Sequence, residues 1–239
     1  VFSSEEEAAL FQRSVPAELQ HPRWQSIVVA PNNEEGIITK KKLGALGILS
    51  QHYTYLAVFD CEVLFVKPMD TDTIYKEIVD SKLFKSNRRH NSTHLREVAK
   101  RMGYENNEVL VAQTEGFTQY WWFNEICVYE QTLFQEFYAW LIAHPNSHEI
   151  LNDFACFDYL LYSMWLICNK GYRVKKHLSH ISFAGAAIET NYNSNDISHT
   201  FQSYQDRNIN HQEIDHIKVQ IMVDRDWEHC QKEGQRLYL

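Results

Sequence analysis

Tyr55-Leu56-Ala57-Val58-Phe59-Asp60-Cys61-Glu62-Val63-Leu64-Phe65-Val66 is the stretch whose reading decides the fold. Five apolar or aromatic residues lead into Asp60, and after Glu62 a second apolar run is closed by Lys67 and Pro68. An unbroken apolar run of this kind suits a buried strand of a parallel sheet. Asp60 then falls at the strand's carboxyl end, where open α/β sheets place their ligands. Asp60 and Glu62, two residues apart, point the same way if the chain stays extended. Two hard carboxylates on one side, with no basic residue beside them, suit Mg²⁺ or Mn²⁺. The plainer reading is an Asp that ends a strand and opens a turn. The apolar runs on either side, where an unpaired charge is costly, weigh toward function.

Upstream, Val1-Phe2 reads as the tail of a strand, so the chain reads as a domain whose first residues are missing. Ser4-Glu5-Glu6-Glu7 is a capping box that starts a helix through about Arg13. Trp24 to Ala30 reads as a strand and Pro31 to Gly36 as a polar loop. Thr39 is placed to cap a second helix, in which Leu43, Leu46 and Leu49 recur at helical spacing. The order strand, helix, strand, helix, strand is a Rossmann-like half, and sequential βαβ units pair in parallel. Lys40, Lys41 and Lys42 fall in the first turn of the second helix. Either one of them faces a diphosphate, since helix N-termini favour anions, or they form a solvated, lysine-rich loop end. There is no Walker A sequence and no GxGxxG. Phosphates would therefore be held by metal and side chains.

Downstream, residues 72–85 read as a helix. Between Lys82 and Arg101 lie seven Lys or Arg, two His and one acid, Glu97. That run suits an anionic acceptor or a nucleotide phosphate, or else a mobile, solvated connection. Glu108 to Thr114 and Thr118 to Tyr129 read as strands. The second carries Tyr120, Trp121, Trp122 and Phe123, aromatics that either stack on sugar rings or fill the core. Gln131 to Ala143 is an amphipathic helix. A second long helix, Phe154 to Asn169, is closed by Gly171 and carries Asp158 on a mostly apolar surface. Burial there would raise the carboxyl's pKa toward that of a useful base. Tyr172 to Leu178 reads as a strand, followed by His180-Ile-Ser-Phe-Ala-Gly185. The polar segment from Thr190 to Gln212 reads as a flap. Ile217, Val219, Ile221 and Val223 alternate as a final strand.

The chain has 239 residues, of which 44% are hydrophobic and 13% aromatic, enough for one sizeable core. We read residues 1–239 as a single domain, with 1–68 a nucleotide-binding half and 69–239 an acceptor-binding half. No run approaches a membrane span, and no signal peptide is visible. A net charge of −8 argues against general nucleic-acid binding. The five cysteines are odd in number, scattered and without CxxC spacing. That usage favours a reducing compartment, hence a cytoplasmic protein, and gives no zinc signature.

With these residues in place, most of the chain resembles a glycosyltransferase of the GT-A fold, in particular those that build polysaccharides and surface glycans. Asp60-Cys61-Glu62 resembles that class's DxD motif, with the longer Glu arm at the last position. Thr39-Lys-Lys-Lys-Leu-Gly-Ala-Leu46 resembles the helix that commonly precedes the DxD strand. Phe157-Asp158-Tyr159-Leu-Leu-Tyr162 resembles an acidic-aromatic helix motif of some bacterial polysaccharide enzymes. His180 to Gly185 resembles the strand end whose His often completes the metal site.

The resemblance implies an α/β fold of GT-A type, with a Rossmann-like mixed central sheet flanked by helices. It implies transfer of a sugar from a nucleoside-diphosphate sugar, with a UDP-sugar as the default, to a hydroxyl of a glycan acceptor. Mn²⁺ or Mg²⁺ would sit on Asp60, Glu62 and His180. Ser3, Asp60, Lys41 and Lys42 would contact the donor, and Tyr120, Trp121 and Trp122 the acceptor. Asp158, then Glu125, are the candidates for the catalytic base. The resemblance also admits the lumenal catalytic domain of a Golgi-type enzyme. Two other readings stand beside it. One is a haloacid-dehalogenase-type phosphatase with Asp60 as nucleophile, although two βα units precede the motif here. The other is a catalytically inactive GT-A-like domain that binds sugar.

Overall fold

The computed structural model describes residues 1–17, 20, 25–29, 37–59, 63–65, 70–86, 88–89, 93–120, 127–153, 155–176, 185–190 and 218–223. Over these residues the protein is mixed α/β, with eight helices and nine short strands. The strands fall into one three-stranded and three two-stranded sheets, part parallel and part antiparallel.

The apolar stretch that begins at Tyr55 divides into two strands. β1 (Tyr55–Val58) pairs antiparallel with β6 (Cys127–Glu130), in the register Tyr55 to Glu130 through Val58 to Cys127. β2 (Val63–Phe65) pairs antiparallel with β9 (Lys218–Val223), which runs parallel to β8 (Gly185–Thr190). The expected parallel partner for the first run is therefore replaced by an antiparallel one. Burial on both faces explains the unbroken apolar run all the same. Leu56, Val58 and Tyr129 pack into the main core, while Tyr55, Ala57, Phe59 and Val128 pack against Tyr75, Ile78 and Val79 of α3 (Thr71–Ser81).

The parallel element lies at the chain's start. Phe2 forms a parallel bridge with Val28, donating from its N–H to Ile27 O at 2.8 Å and accepting from Val29 N–H at 2.9 Å. Between them runs α1 (Glu5–Ser14), opened by the expected cap: the Glu7 N–H donates to Ser4 Oγ at 3.1 Å. The Glu7 carboxylate reaches back one residue further than a capping box requires, accepting the Ser3 N–H at 2.5 Å.

α2 (Ile37–Leu49) starts two residues before Thr39. Thr39 is therefore not the cap. It is buried inside the first turn, and its hydroxyl donates to Cys156 O at 3.0 Å. Gly44 lets the helix approach the Phe2–Val28 layer, since a Cβ there would stand 2.8 Å from Val29 Cγ1. The helix's far end is held from the side: Gln131 and Gln135 of α6 (Gln131–Ala143) donate their amides to Ser50 O at 2.6 and 3.1 Å.

The main core lies between α2, α6, α4 (Thr93–Arg101) and α8 (Asp158–Lys170). Leu95, Tyr129, Phe134, Phe137, Leu141, Leu160 and Leu161 are completely buried in it. Burying each such side chain is worth about 2 kcal/mol relative to leaving it in water. α8 is apolar on every side because it runs through the middle of this cluster, and Gly171, with φ 74°, ends it in the left-handed region.

Four expected elements differ. The helix expected over 72–85 stops at Ser81; Lys82 takes a left-handed turn with φ 48°, and β3 (Leu83–Ser86) follows. The described residues of the lysine- and arginine-rich run to Arg101 lie largely in regular elements. These are β3, β4 (Arg88–Arg89) and α4, whose Leu95, Val98 and Ala99 are buried. Glu108 to Gln113 is α5, not a strand, because Asn107 caps it by accepting the Leu110 N–H at 3.0 Å. The helix expected over 154–169 begins only at Asp158, as α8, so Asp158 opens its helix, and a separate short helix, α7 (Ser147–Asn152), precedes it. Short β5 (Gln119–Tyr120) pairs antiparallel with β4, and β7 (Arg173–Lys176) pairs parallel with β3. The flap expected beyond Thr190 lies outside the described residues. No helix among the described residues is long and apolar enough to cross a membrane.

Candidate functional site

Three successive lysines of α2 point to three different elements, as neighbours about 100° apart on a helix must. Lys40 donates to the Asn152 side-chain carbonyl on α7. Lys41 stands 3.6 Å from the Glu7 carboxylate on α1. Lys42 stands 3.8 Å from Asp158 on α8. Each lysine thus has a partner within the protein.

The first cluster lies just past Phe2, at the carboxyl side of its parallel bridge with Val28. It consists of Ser3, Ser4, Glu7 and Lys41. Glu7 joins the two predicted donor contacts, taking the Ser3 amide and the Lys41 charge. The Ser3 amide above all, and Lys41 after it, hold the Glu7 carboxyl below the usual glutamate range. Half of the Glu7 side chain is open to solvent.

The second cluster is buried. Asp158 is 1% exposed, and its Oδ2 accepts the Tyr129 hydroxyl at 2.6 Å. It sits in the first turn of α8, where free N–H groups favour a carboxylate. Burial, the Asp158 charge and Cys127 all raise the Tyr129 hydroxyl well above its ordinary pKa, so this phenol keeps its proton and donates it. Lys42 supplies the counter-charge from the rim. A carboxylate so enclosed, held by a phenol and an ammonium on separate elements, fixes α2, β6 and α8 together. It presents no open face to an acceptor hydroxyl.

Other predicted site residues lie outside the described residues: Asp60, Glu62, Trp121, Trp122, Glu125 and His180. Tyr120 is described at its backbone, opposite Arg88 in the β4–β5 pair. In sequence, Asp60 to Glu62 fall between β1 and β2, which pair with different sheets. Among the described residues no group of three or more His, Cys, Asp or Glu is placed to hold a metal ion. Cys156 is fully buried, and Cys127 and Cys168 are half-buried; burial pushes the Cys156 and Cys168 thiols up to about 12.

Sequence reasoning missed Tyr129 and the second role of Glu7. Glu7 was visible as a capping residue, but its link to Lys41 is tertiary and leaves no local signal. Tyr129 ended an aromatic run, and nothing in its spacing ties it to a carboxylate 29 positions away.

No family model, curated protein or solved structure matches the chain.

Proposed function

We propose that the chain is a metal-dependent glycosyltransferase of GT-A type, which moves a sugar from a nucleoside-diphosphate sugar to a hydroxyl of a glycan acceptor. The observation that carries this reading is the parallel Phe2–Val28 contact with α1 crossing between, followed by α2 and then by a strand packed on both faces that precedes Asp60-Cys61-Glu62 in sequence. This supports a nucleotide-binding half whose acidic pair follows the buried strand.

By residue type, Asp60, Glu62 and His180 would supply oxygen and imidazole donors of the kind Mn²⁺ or Mg²⁺ accepts. A divalent ion held by them would supply Lewis-acid stabilisation of the charge on the departing diphosphate. Ser3 and Lys41, gathered by Glu7, border the donor at the carboxyl end of Phe2. Tyr120, Trp121 and Trp122 offer ring faces to the acceptor. Asp158, enclosed by Tyr129 and Lys42, serves as an anchor, so Glu125 is the carboxylate assigned to take the acceptor's proton if configuration is inverted.

Thermal unfolding against a panel of nucleoside diphosphates, each with and without Mn²⁺, tests the proposal, because a ligand of the folded state raises its midpoint. We expect one nucleotide to give a Mn²⁺-dependent rise and Glu62→Ala to abolish it. An unchanged rise in Glu62→Ala removes Glu62 from the metal site. No rise with any nucleotide removes the donor-binding reading itself.

A further inference from the structure

The chain leaves α5 through three successive left-handed residues: Glu115 with φ 47°, Gly116 with φ 70° and Phe117 with φ 68°. Left-handed backbone is routine for Gly. A larger residue there costs energy and persists only where its surroundings hold it. Among the described residues Lys82 is the other non-glycine residue of positive φ, and it stands singly.

The first part of this arrangement is a helix stop. The Glu115 N–H donates to Ala112 O at 3.4 Å and the Gly116 N–H to Val111 O at 2.9 Å, the paired bonds of a Schellman ending. In that motif the left-handed residue after the cap is usually Gly. Here Thr114 is the cap, Glu115 takes the left-handed place, and the glycine stands one residue late. The sequence therefore also suits a second ending, with α5 one residue longer. Gly116 would take the left-handed place, Glu115 would turn right-handed, and the strain at Glu115 would be relieved.

Contacts beyond the helix select the shorter ending. Thr114 is fully buried; its hydroxyl donates to Leu110 O at 2.7 Å and accepts the Phe117 N–H at 3.0 Å. The Phe117 ring is buried, and the Arg96 guanidinium of α4 lies 5.6 Å from its centre. The Thr118 N–H donates to Thr114 O at 2.8 Å, and the Thr118 hydroxyl to Glu115 O at 2.9 Å. Upstream, the Gln113 side chain accepts the Val174 N–H at 3.0 Å, which ties the end of α5 to β7. Tertiary contacts at Thr114 and Phe117 thus oppose what local chemistry at Gly116 favours.

We propose that residues 114–118 are a two-state switch at the entry to β5. One state is the strained turn, latched by the Thr114 hydroxyl and the buried Phe117 ring. The other ends α5 one residue later, on Gly116, and withdraws Phe117 from beside Arg96. A helix turns about 100° per residue, so the exchange re-aims the chain that enters β5 and pairs with β4. Under the glycosyltransferase reading β5 opens the acceptor run at Tyr120, so the switch would govern acceptor entry; that use alone rests on the reading.

Amide relaxation dispersion on the full chain, without nucleotide or metal, follows rearrangements of this kind on the microsecond-to-millisecond scale. We expect dispersion at Glu115, Gly116, Phe117 and Thr118, and none along α6 or α8. Glu115→Gly removes the side chain from the left-handed place of the shorter ending and should lower the minor population about fivefold. Thr114→Val keeps the shape, removes the acceptor of the Phe117 N–H, and should raise that population about fivefold. The circular dichroism of both variants should match the parent. A flat profile in the parent overturns the proposal, as does a minor population that Glu115→Gly leaves unchanged. Exchange spread evenly through the whole of α5 means fraying of the helix and overturns it too. Dispersion at the turn with no response to any nucleoside diphosphate would leave the switch standing and the transferase reading fallen.

Discussion

At the scale of single residues, the protein's polar interior rests on Asp158. Its carboxylate is 2% exposed at the side chain, while Lys42 keeps 23% of its side chain open, so the two members of the pair differ in what they lose on burial. Removing the cation takes away the positive charge that Lys42 sets beside this buried carboxylate. Lys42→Met should therefore destabilise the fold by about 3 kcal/mol. Lys42→Met/Asp158→Asn, with no charge left to compensate, should regain at least half of that. Urea unfolding of both variants measures this, and a double variant no more stable than the single one would show that the pair is uncoupled. Glu7 gives a prediction with a pH sign. Its folded pKa lies below the ordinary 4.5. Its contribution is thus fully present above that value and is lost as the pH falls through the lower folded value. Glu7→Gln should be less stable than the parent at about pH 7, and the gap should close as the pH falls below the ordinary glutamate range. A constant gap between their urea midpoints across that range would remove Glu7 from the acid response.

At the scale of elements, α2 is held by its neighbours along its whole length, through Thr39, Lys40, Lys41 and Lys42 near one end and Ser50 at the other. Gly44 is where it comes closest to Val29. Gly44→Ala gains helix propensity of up to about 1 kcal/mol. The added methyl would meet a stiff Val side chain at 2.8 Å, and overpacking of that kind costs about 1–3 kcal/mol. We expect net destabilisation in thermal unfolding; a higher midpoint would mean that the Val29 segment yields freely. Elements with a strong local signal were legible in the sequence. α6 was read to the residue, since its apolar positions recur at helical spacing, and Ser4 and Gly171 marked helix ends through capping chemistry. α5 was misread because Val109 and Val111 suggest a strand, and the cap at Asn107 outweighs them. The partner of β1 was illegible, because pairing over long separations is chosen by packing rather than by propensity. The same limit applies to the site: Lys41 and Asp158 were singled out by chemistry and Ser3 by resemblance, while the residues that bind them, Glu7 and Tyr129, are brought near by the fold.

At the scale of the molecule, stability is concentrated. The helices α4, α6 and α8 share a core in which Leu95, Phe134, Phe137 and Leu160 are wholly buried, whereas α1 buries Ala8 alone and exposes Leu10 and Phe11. Regions with few buried contacts open at lower free energy than the core. In native-state hydrogen exchange the slowest amides should lie in α6 and α8, and those of α1 should exchange early; equal protection in α1 and α8 would contradict this ordering. The β1–β6 pairing has a further consequence, which concerns synthesis. Tyr55 is matched with Glu130, and Val58 with Cys127, so among the described residues β1 has no ladder partner until residues 59–126 have been made. Closing so large a loop slows folding. On the ribosome, a strand composed of Tyr, Leu, Ala and Val would remain open to wrong partners while residues 59–126 are being added. The most vulnerable moment in this protein's life is therefore its translation: a chain arrested before Cys127 would carry an apolar edge that chaperones or proteases must deal with, and one released after Ala143 could have already covered it.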